Sequence, residues 1–131
     1  MDIAENIKRF KEELGDEVEL VAVSKTKPIA DLQEAYDVGQ RIFGENRPQE
    51  MQEKAEALPK DIEWHMVGHL QSNKVKYIAP FVSMIHSIDK LSTWKEINKR
   101  AKQNERTIKV LLQMHIAEEE SKFGMDEEKL T

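Results

Sequence analysis

Apolar residues in this chain switch repeatedly between the spacing of a helix and that of a buried strand. Ile3, Ile7, Phe10 and Leu14 recur at steps of four, three and four, which predicts an amphipathic helix over Asp2–Leu14. Asp2 can cap it, Glu5 three residues on resembles the acid of a capping box, and Gly15 is a natural stop. Glu19–Ser24, short and apolar between polar flanks, has the form of a buried parallel strand. A helix follows over Pro28–Val38, with Leu32, Ala35 and Tyr36 on one face and Gly39 closing it.

The cycle then repeats. A strand at Arg41–Phe43, a Gly44-Glu45-Asn46 turn and a helix from Pro48 through Met51, Ala55 and Leu58 to Pro59 make the second unit. Strands are predicted at Glu63–Val67, Phe81–His86 and Ile108–His115. Between them lie a helix over Leu70–Ala79 and one capped by Asp89, whose Leu91, Trp94, Ile97 and Ala101 share a face. Residues 118–131 are acidic and read as a loop entering a helix N-terminus, where negative charge is favoured.

Units of about 20–25 residues, each a strand followed by a helix, define a parallel α/β fold. Two architectures fit. A five-stranded doubly wound sheet can be completed in 131 residues, whereas a (β/α)8 barrel takes roughly 200 or more and only its first five units would be present. Pattern alone favours the complete sheet. With no internal repeat, low-complexity stretch or linker, residues 1–131 read as one domain.

Composition removes several classes of function. Acids outnumber bases 25 to 20, a net charge of −5 that argues against a general nucleic-acid binder. The longest apolar run, Leu20–Val23, is far too short to span a membrane, and the N-terminus lacks the pattern of a signal peptide. The absence of cysteine excludes disulfide scaffolds, thiolate metal sites and cysteine nucleophiles. A soluble cytoplasmic protein, with no nucleic-acid or membrane partner, is the expectation.

In either architecture ligands gather at the C-terminal ends of the strands. Lys25 follows the first strand and shares its parity with Val21 and Val23. Lys27, held extended by Pro28, is expected to project the same way. Partial burial and a like-charged neighbour favour a neutral amine, the form that condenses with an aldehyde. A lysine that merely ends a strand in solvent is the plainer reading. His65 and His69 have zinc-like spacing but straddle a strand end and Gly68 with no acid between them, so a polar mouth fits better than a metal site. Gly44 and Gly68 precede helices and could hold an anion on backbone amides, or simply permit tight turns. No dinucleotide or triphosphate glycine motif occurs, and Trp64 and Trp94 read as core.

Taken together, five ordered segments resemble the pyridoxal-phosphate homeostasis family, also called the proline-synthase-co-transcribed group. They are Leu20-Val-Ala-Val-Ser-Lys-Thr-Lys-Pro28, Ile42-Phe-Gly-Glu-Asn46 with Gln49-Glu50, Trp64-His65 with Gly68-His-Leu-Gln-Ser-Asn-Lys74, His86-Ser-Ile-Asp89, and Glu119-Glu-Ser-Lys-Phe-Gly124. Members are similar to the N-terminal domain of alanine racemase. The resemblance therefore implies a (β/α)8 TIM barrel of the fold-type III class, with about five βα units in this chain. It also implies pyridoxal 5′-phosphate (PLP) as cofactor, held as a Schiff base on Lys25, with Lys27, Asn46, His65 and Gly68 around its mouth. The family's implied role is storage and delivery of the cofactor within vitamin B6 homeostasis, without catalytic turnover. A racemase-like enzyme acting on amino acids is the alternative, and it would need a second acid/base that this stretch does not supply.

Two departures stand out. Arg47-Pro48 follows the Gly-Glu-Asn segment where many relatives carry an aromatic residue and valine. Members also continue for roughly three further units, which hold the phosphate, so the chain reads as C-terminally truncated. Its first and fifth strands are then expected to present unpaired edges that invite self-association or strand exchange, with weak cofactor binding.

Overall fold

The computed structural model of the chain describes residues 3–113. Five helices and five strands alternate along it. They are α1 Ile3–Leu14, β1 Ala22–Val23, α2 Ile29–Asp37, β2 Ile42–Glu45, α3 Pro48–Ala57, β3 Glu63–Met66, α4 Val75–Ile78, β4 Val82–Ile88, α5 Leu91–Gln103 and β5 Lys109–Leu112. A single 3-10 turn, Ser72–Lys74, leads into α4.

All strand pairs are parallel and the order across the sheet is β1-β2-β3-β4-β5. A doubly wound sheet reverses direction part-way and wraps helices over both faces. Here each strand lies beside its predecessor, and α3 packs on α4 and α4 on α5 in chain order. That is the arrangement of successive barrel units, so the complete doubly wound sheet that pattern favoured is not formed.

Register separates the two faces. Ala22, Phe43, Trp64 and Val82 align across β1 to β4, and Glu45, Met66, Ile85 and Val110 across β2 to β5. These rows lie under the helices and are buried, apart from the half-buried Ala22 and Val110 at the edge strands. Leu32, Met51, Val75 and Ile97 reach down from α2 to α5 to complete the core. Trp64 packs obliquely on Phe43 with ring centroids 5.9 Å apart, and Trp94 borders the same core. The alternate row, Val23, Gly44, His65, Met84 and Lys109, faces the other way.

Several boundaries differ from the sequence reading, each for a local reason. β1 is two residues instead of six, because the Leu20 carbonyl is taken by Gln40 Nε2 (2.7 Å) and the chain turns after Ser24. β2 continues through Gly44 and Glu45, so these two residues belong to the strand and not to a turn. The third crossover helix shrinks to α4, since Gln71 is extended at ψ 146 before the 3-10 turn. Lys90, not Asp89, occupies the cap position of α5, and no side chain caps it. The apolar face of α1 is buried only in its first half. Ile7 is in the core, whereas Phe10 is 53% exposed beside a cleft of about 330 Å³ under the helix. Asp2, His115 and the acidic segment 118–131 lie outside the described residues. No helix among the described residues is long and apolar enough to cross a membrane.

Candidate functional site

The face turned away from the helices is where polar side chains meet. His65 on β3 and His86 on β4 bring Nδ1 and Nε2 within 3.2 Å, one ring donating and the other accepting. His65 is therefore partnered by His86 and not by His69, which is exposed. Among the described residues no group of three metal-ligating side chains converges. Burial, and then the neighbouring His86, hold the His65 ring below the ordinary histidine range.

A pH dependence follows. The folded chain binds fewer protons at His65 than the unfolded chain, whose value is about 6.5, so stability is whole above that pH and falls as pH drops below it. Urea midpoints measured from pH 8 down to pH 5 are expected to decline, and to decline less in His65→Asn. Equal slopes for the two chains would remove the histidine from this account.

The loop after β1 carries the candidate lysine. Lys25 lies in a turn and is exposed, so the partial burial expected for it is not found. Among the described residues β1 has a strand on one side only, which leaves its far side open. The expected shared direction of Lys25 and Lys27 also loses its basis. Strand alternation ends at Ser24, the Lys27 amide donates to the Ser24 carbonyl (3.1 Å), and Thr26 between them takes a left-handed φ of 62. Lys27 instead lines the cleft beneath α1, near Asp31 and Leu32.

The next two strand ends come together. A Cβ placed on Gly68 would lie 2.9 Å from the Asn46 carbonyl oxygen and 3.0 Å from its Cα, so only glycine lets the chain after β3 approach the chain after β2 so closely. Gly68 is thus packed against Asn46 backbone. Gly44, inside β2, faces Val21 and Val67. Gly44 therefore does not form the turn that both of its readings assumed.

Beneath the lysine loop lies a feature that sequence reasoning passed over. Lys54 of α3 is buried and donates to Glu45 (3.0 Å), to Glu50 (2.9 Å) and to the Ser24 carbonyl (2.7 Å). Ser24 Oγ donates to Glu45, and the Thr26 amide to Glu50 (2.8 Å). Proximity and hydrogen bonding to Lys54 hold the Glu50 carboxyl below the usual carboxylate range, despite an opposing contribution from burial. The available signal was the i,i+4 spacing of Glu50 and Lys54 on a helix.

The whole chain, residues 1–131, matches the family described as alanine racemase, N-terminal domain. The chain belongs to that family. It is 44% identical over 112 residues to the pyridoxal phosphate homeostasis protein of Aquifex aeolicus, covering 85% of this chain and 49% of that one. It is 36% identical over 138 aligned residues to the protein of that name from Escherichia coli K12, covering 95% and 59%. Among solved structures, PipY of Synechococcus elongatus with PLP bound superposes at TM-score 0.79 with 38% identity, over 89% of this chain and 56% of PipY. Alanine racemase of Streptomyces coelicolor, at 19% identity and TM-score 0.69, shares the fold, over 88% of this chain and 32% of the racemase. The chain spans about half the length of the curated relatives it matches. The barrel implied by the resemblance is therefore the fold, of which this chain supplies the first part.

Proposed function

We propose that this chain is the lysine-bearing part of a PLP-binding protein that acts in intracellular cofactor homeostasis without turnover. The observation that carries the reading is the exposed Lys25 just past the C-terminal end of β1, in a chain whose relatives are pyridoxal phosphate homeostasis proteins. PipY, similar over most of this chain, is a structure with PLP bound.

The described residues fit one part of the cofactor. An exposed primary amine suits its aldehyde, and Asn46 just after β2 with the His65–His86 pair of β3 and β4 offers hydrogen-bonding groups. A side chain at Gly68 or Gly44 would meet Asn46, Val21 or Val67, so both positions are set by close packing. When bound, PLP supplies an electrophilic carbon and an electron-withdrawing ring. Lys25 would hold it, Asn46 and His65 would border it, and Gly68 would act indirectly by keeping Asn46 in place. Lys27 joins this group only by a movement of its loop.

Turnover on amino acids needs a proton donor or acceptor aimed at the reacting carbon. The two histidines of the sheet face, His65 and His86, bond to one another. We expect a new near-ultraviolet or visible absorbance band when PLP is added to the full-length natural polypeptide, and no racemisation or transamination above that of free cofactor. A rate several orders of magnitude above free PLP that vanished in Lys25→Ala would establish the enzyme reading instead. A cytoplasmic site of action belongs to the same proposal.

Self-association is a further part of it. Among the described residues β1 and β5 are each paired on one side only, and Val23 and Leu111 on the open face are 57% and 47% exposed. Unpaired strand edges recruit other strands. The 131-residue chain is expected to elute as dimers or larger species when light scattering is recorded during size exclusion. A monodisperse monomer would contradict this.

A further inference from the structure

We propose that Glu50, held by Lys54, is a positioning residue for Lys25, a role that rests on the assignment of Lys25 as the cofactor lysine. Both peptide neighbours of Lys25 are tied to one buried ammonium. On the N-terminal side, the Ser24 carbonyl accepts from Lys54 Nζ at 2.7 Å and the Ser24 hydroxyl donates to Glu45, which touches the same ammonium. On the C-terminal side, the Thr26 amide donates to Glu50 Oε2 at 2.8 Å, and that oxygen accepts from Lys54 Nζ at 2.9 Å. Lys25 itself is exposed; its carbonyl accepts from Thr26 Oγ1 at 2.6 Å, and its backbone is further defined by the residues on either side.

Thr26 shows that this definition carries strain. It is β-branched, yet it sits at φ 62, a region such residues rarely occupy. Strained backbone of this kind persists only where the surroundings over-determine it, and it gathers at functional sites. The surroundings here are specific. The amide of the strained residue is the one that Glu50 accepts, and the Lys27 amide closes the turn onto Ser24. Glu45 and Lys54 are buried beneath, and the half-buried Glu50 carboxylate links that buried pair to the lysine turn. Removing the Glu50 acceptor leaves the fold its core and frees one side of the lysine turn. Lys25 then samples more directions, and fewer of them bring its amine to an aldehyde held at the strand ends.

The chemistry read out is condensation. The neutral amine nitrogen adds to the aldehyde carbon, the carbonyl oxygen leaves as water with the two amine protons, and a C=N bond remains. The test compares the full-length natural polypeptide with Glu50→Ala and Glu50→Gln, the glutamine keeping a carbonyl acceptor for the Thr26 amide. Without cofactor, amide hydrogen exchange at Thr26 is expected to speed up about tenfold or more in Glu50→Ala and to return towards the parent rate in Glu50→Gln. With PLP, the rate of appearance of the cofactor absorbance band is expected to fall about tenfold in Glu50→Ala, with recovery in Glu50→Gln and an unchanged circular-dichroism spectrum. Unaltered Thr26 exchange in Glu50→Ala would overturn the anchor. Altered exchange with an unaltered rate of PLP capture would overturn the positioning role. Failure of the parent polypeptide to attach PLP at Lys25 would overturn the functional assignment and the positioning role with it, while the exchange data would still report on the anchor.

Discussion

Replacing Lys54 with methionine is expected to destabilise the chain by about 3–5 kcal/mol, because removing one partner of a buried ion pair leaves the other charge without compensation. The side chain of Glu45 is fully buried, and its Oε2 receives both Lys54 Nζ and Ser24 Oγ. Its other oxygen, Oε1, has no hydrogen-bond partner among the described residues. Methionine fills much the same volume, so the loss reports charge and hydrogen bonding more than packing. Against a total stability of about 5–15 kcal/mol for an ordinary domain, such a loss removes a large fraction of the folded margin. Adding Glu45→Gln to Lys54→Met is expected to cost less than the sum of the two single changes, since the amide needs no counter-charge. Urea denaturation of the four chains supplies the cycle. A loss below about 1 kcal/mol for Lys54→Met, or strict additivity, would mean that the ion pair is not what holds α3 to the loop after β1.

The largest functional effect is expected at Lys25. In Lys25→Ala the full-length polypeptide should keep its fold, because the side chain is exposed and takes part in no core contact. Its PLP absorbance band should disappear. Loss of a covalent attachment point is not offset by Lys27, whose side chain lines the cleft beneath α1. Retention of half or more of the band with an unchanged position would place the attachment elsewhere. A near-complete loss together with a thermal midpoint within about 2 °C of the parent would separate attachment from folding.

How much of this could be read from the residues depended on the range of the interaction involved. The alternation of helical and strand spacing located every described element, since burial of one helix face and of continuous strand runs is a local signal. Element ends were harder. β1 stops early because Gln40, twenty residues away, takes the Leu20 carbonyl, and β2 extends because Gly44 and Glu45 pair with His65 and Met66 of β3. Strand order was beyond periodicity altogether. The choice between a doubly wound sheet and barrel units depends on which strands pair, and the resemblance supplied it before the register did.

The site divides in the same way. Lys25 at a strand end follows from position in the chain; the approach of Gly68 to Asn46 does not, and the structure shows it in the 2.9 Å that would separate a Gly68 Cβ from the Asn46 carbonyl oxygen. The projection of Lys27 did not follow, because a left-handed Thr26 breaks the alternation that the expectation assumed. Glu45, Glu50 and Lys54 received no reading as interacting charges in a chain that is 34% charged. Only the fold shows that two of the three are buried under the lysine loop.

The central claim is that Lys25 is the residue that takes the cofactor. Its most direct test is borohydride reduction of the full-length polypeptide after incubation with PLP, followed by proteolysis and mass mapping. One phosphopyridoxyl group per chain on the peptide containing Lys25, absent from Lys25→Ala, is the result expected. The same mass on Lys27 or Lys122 with Lys25 unmodified would contradict the account.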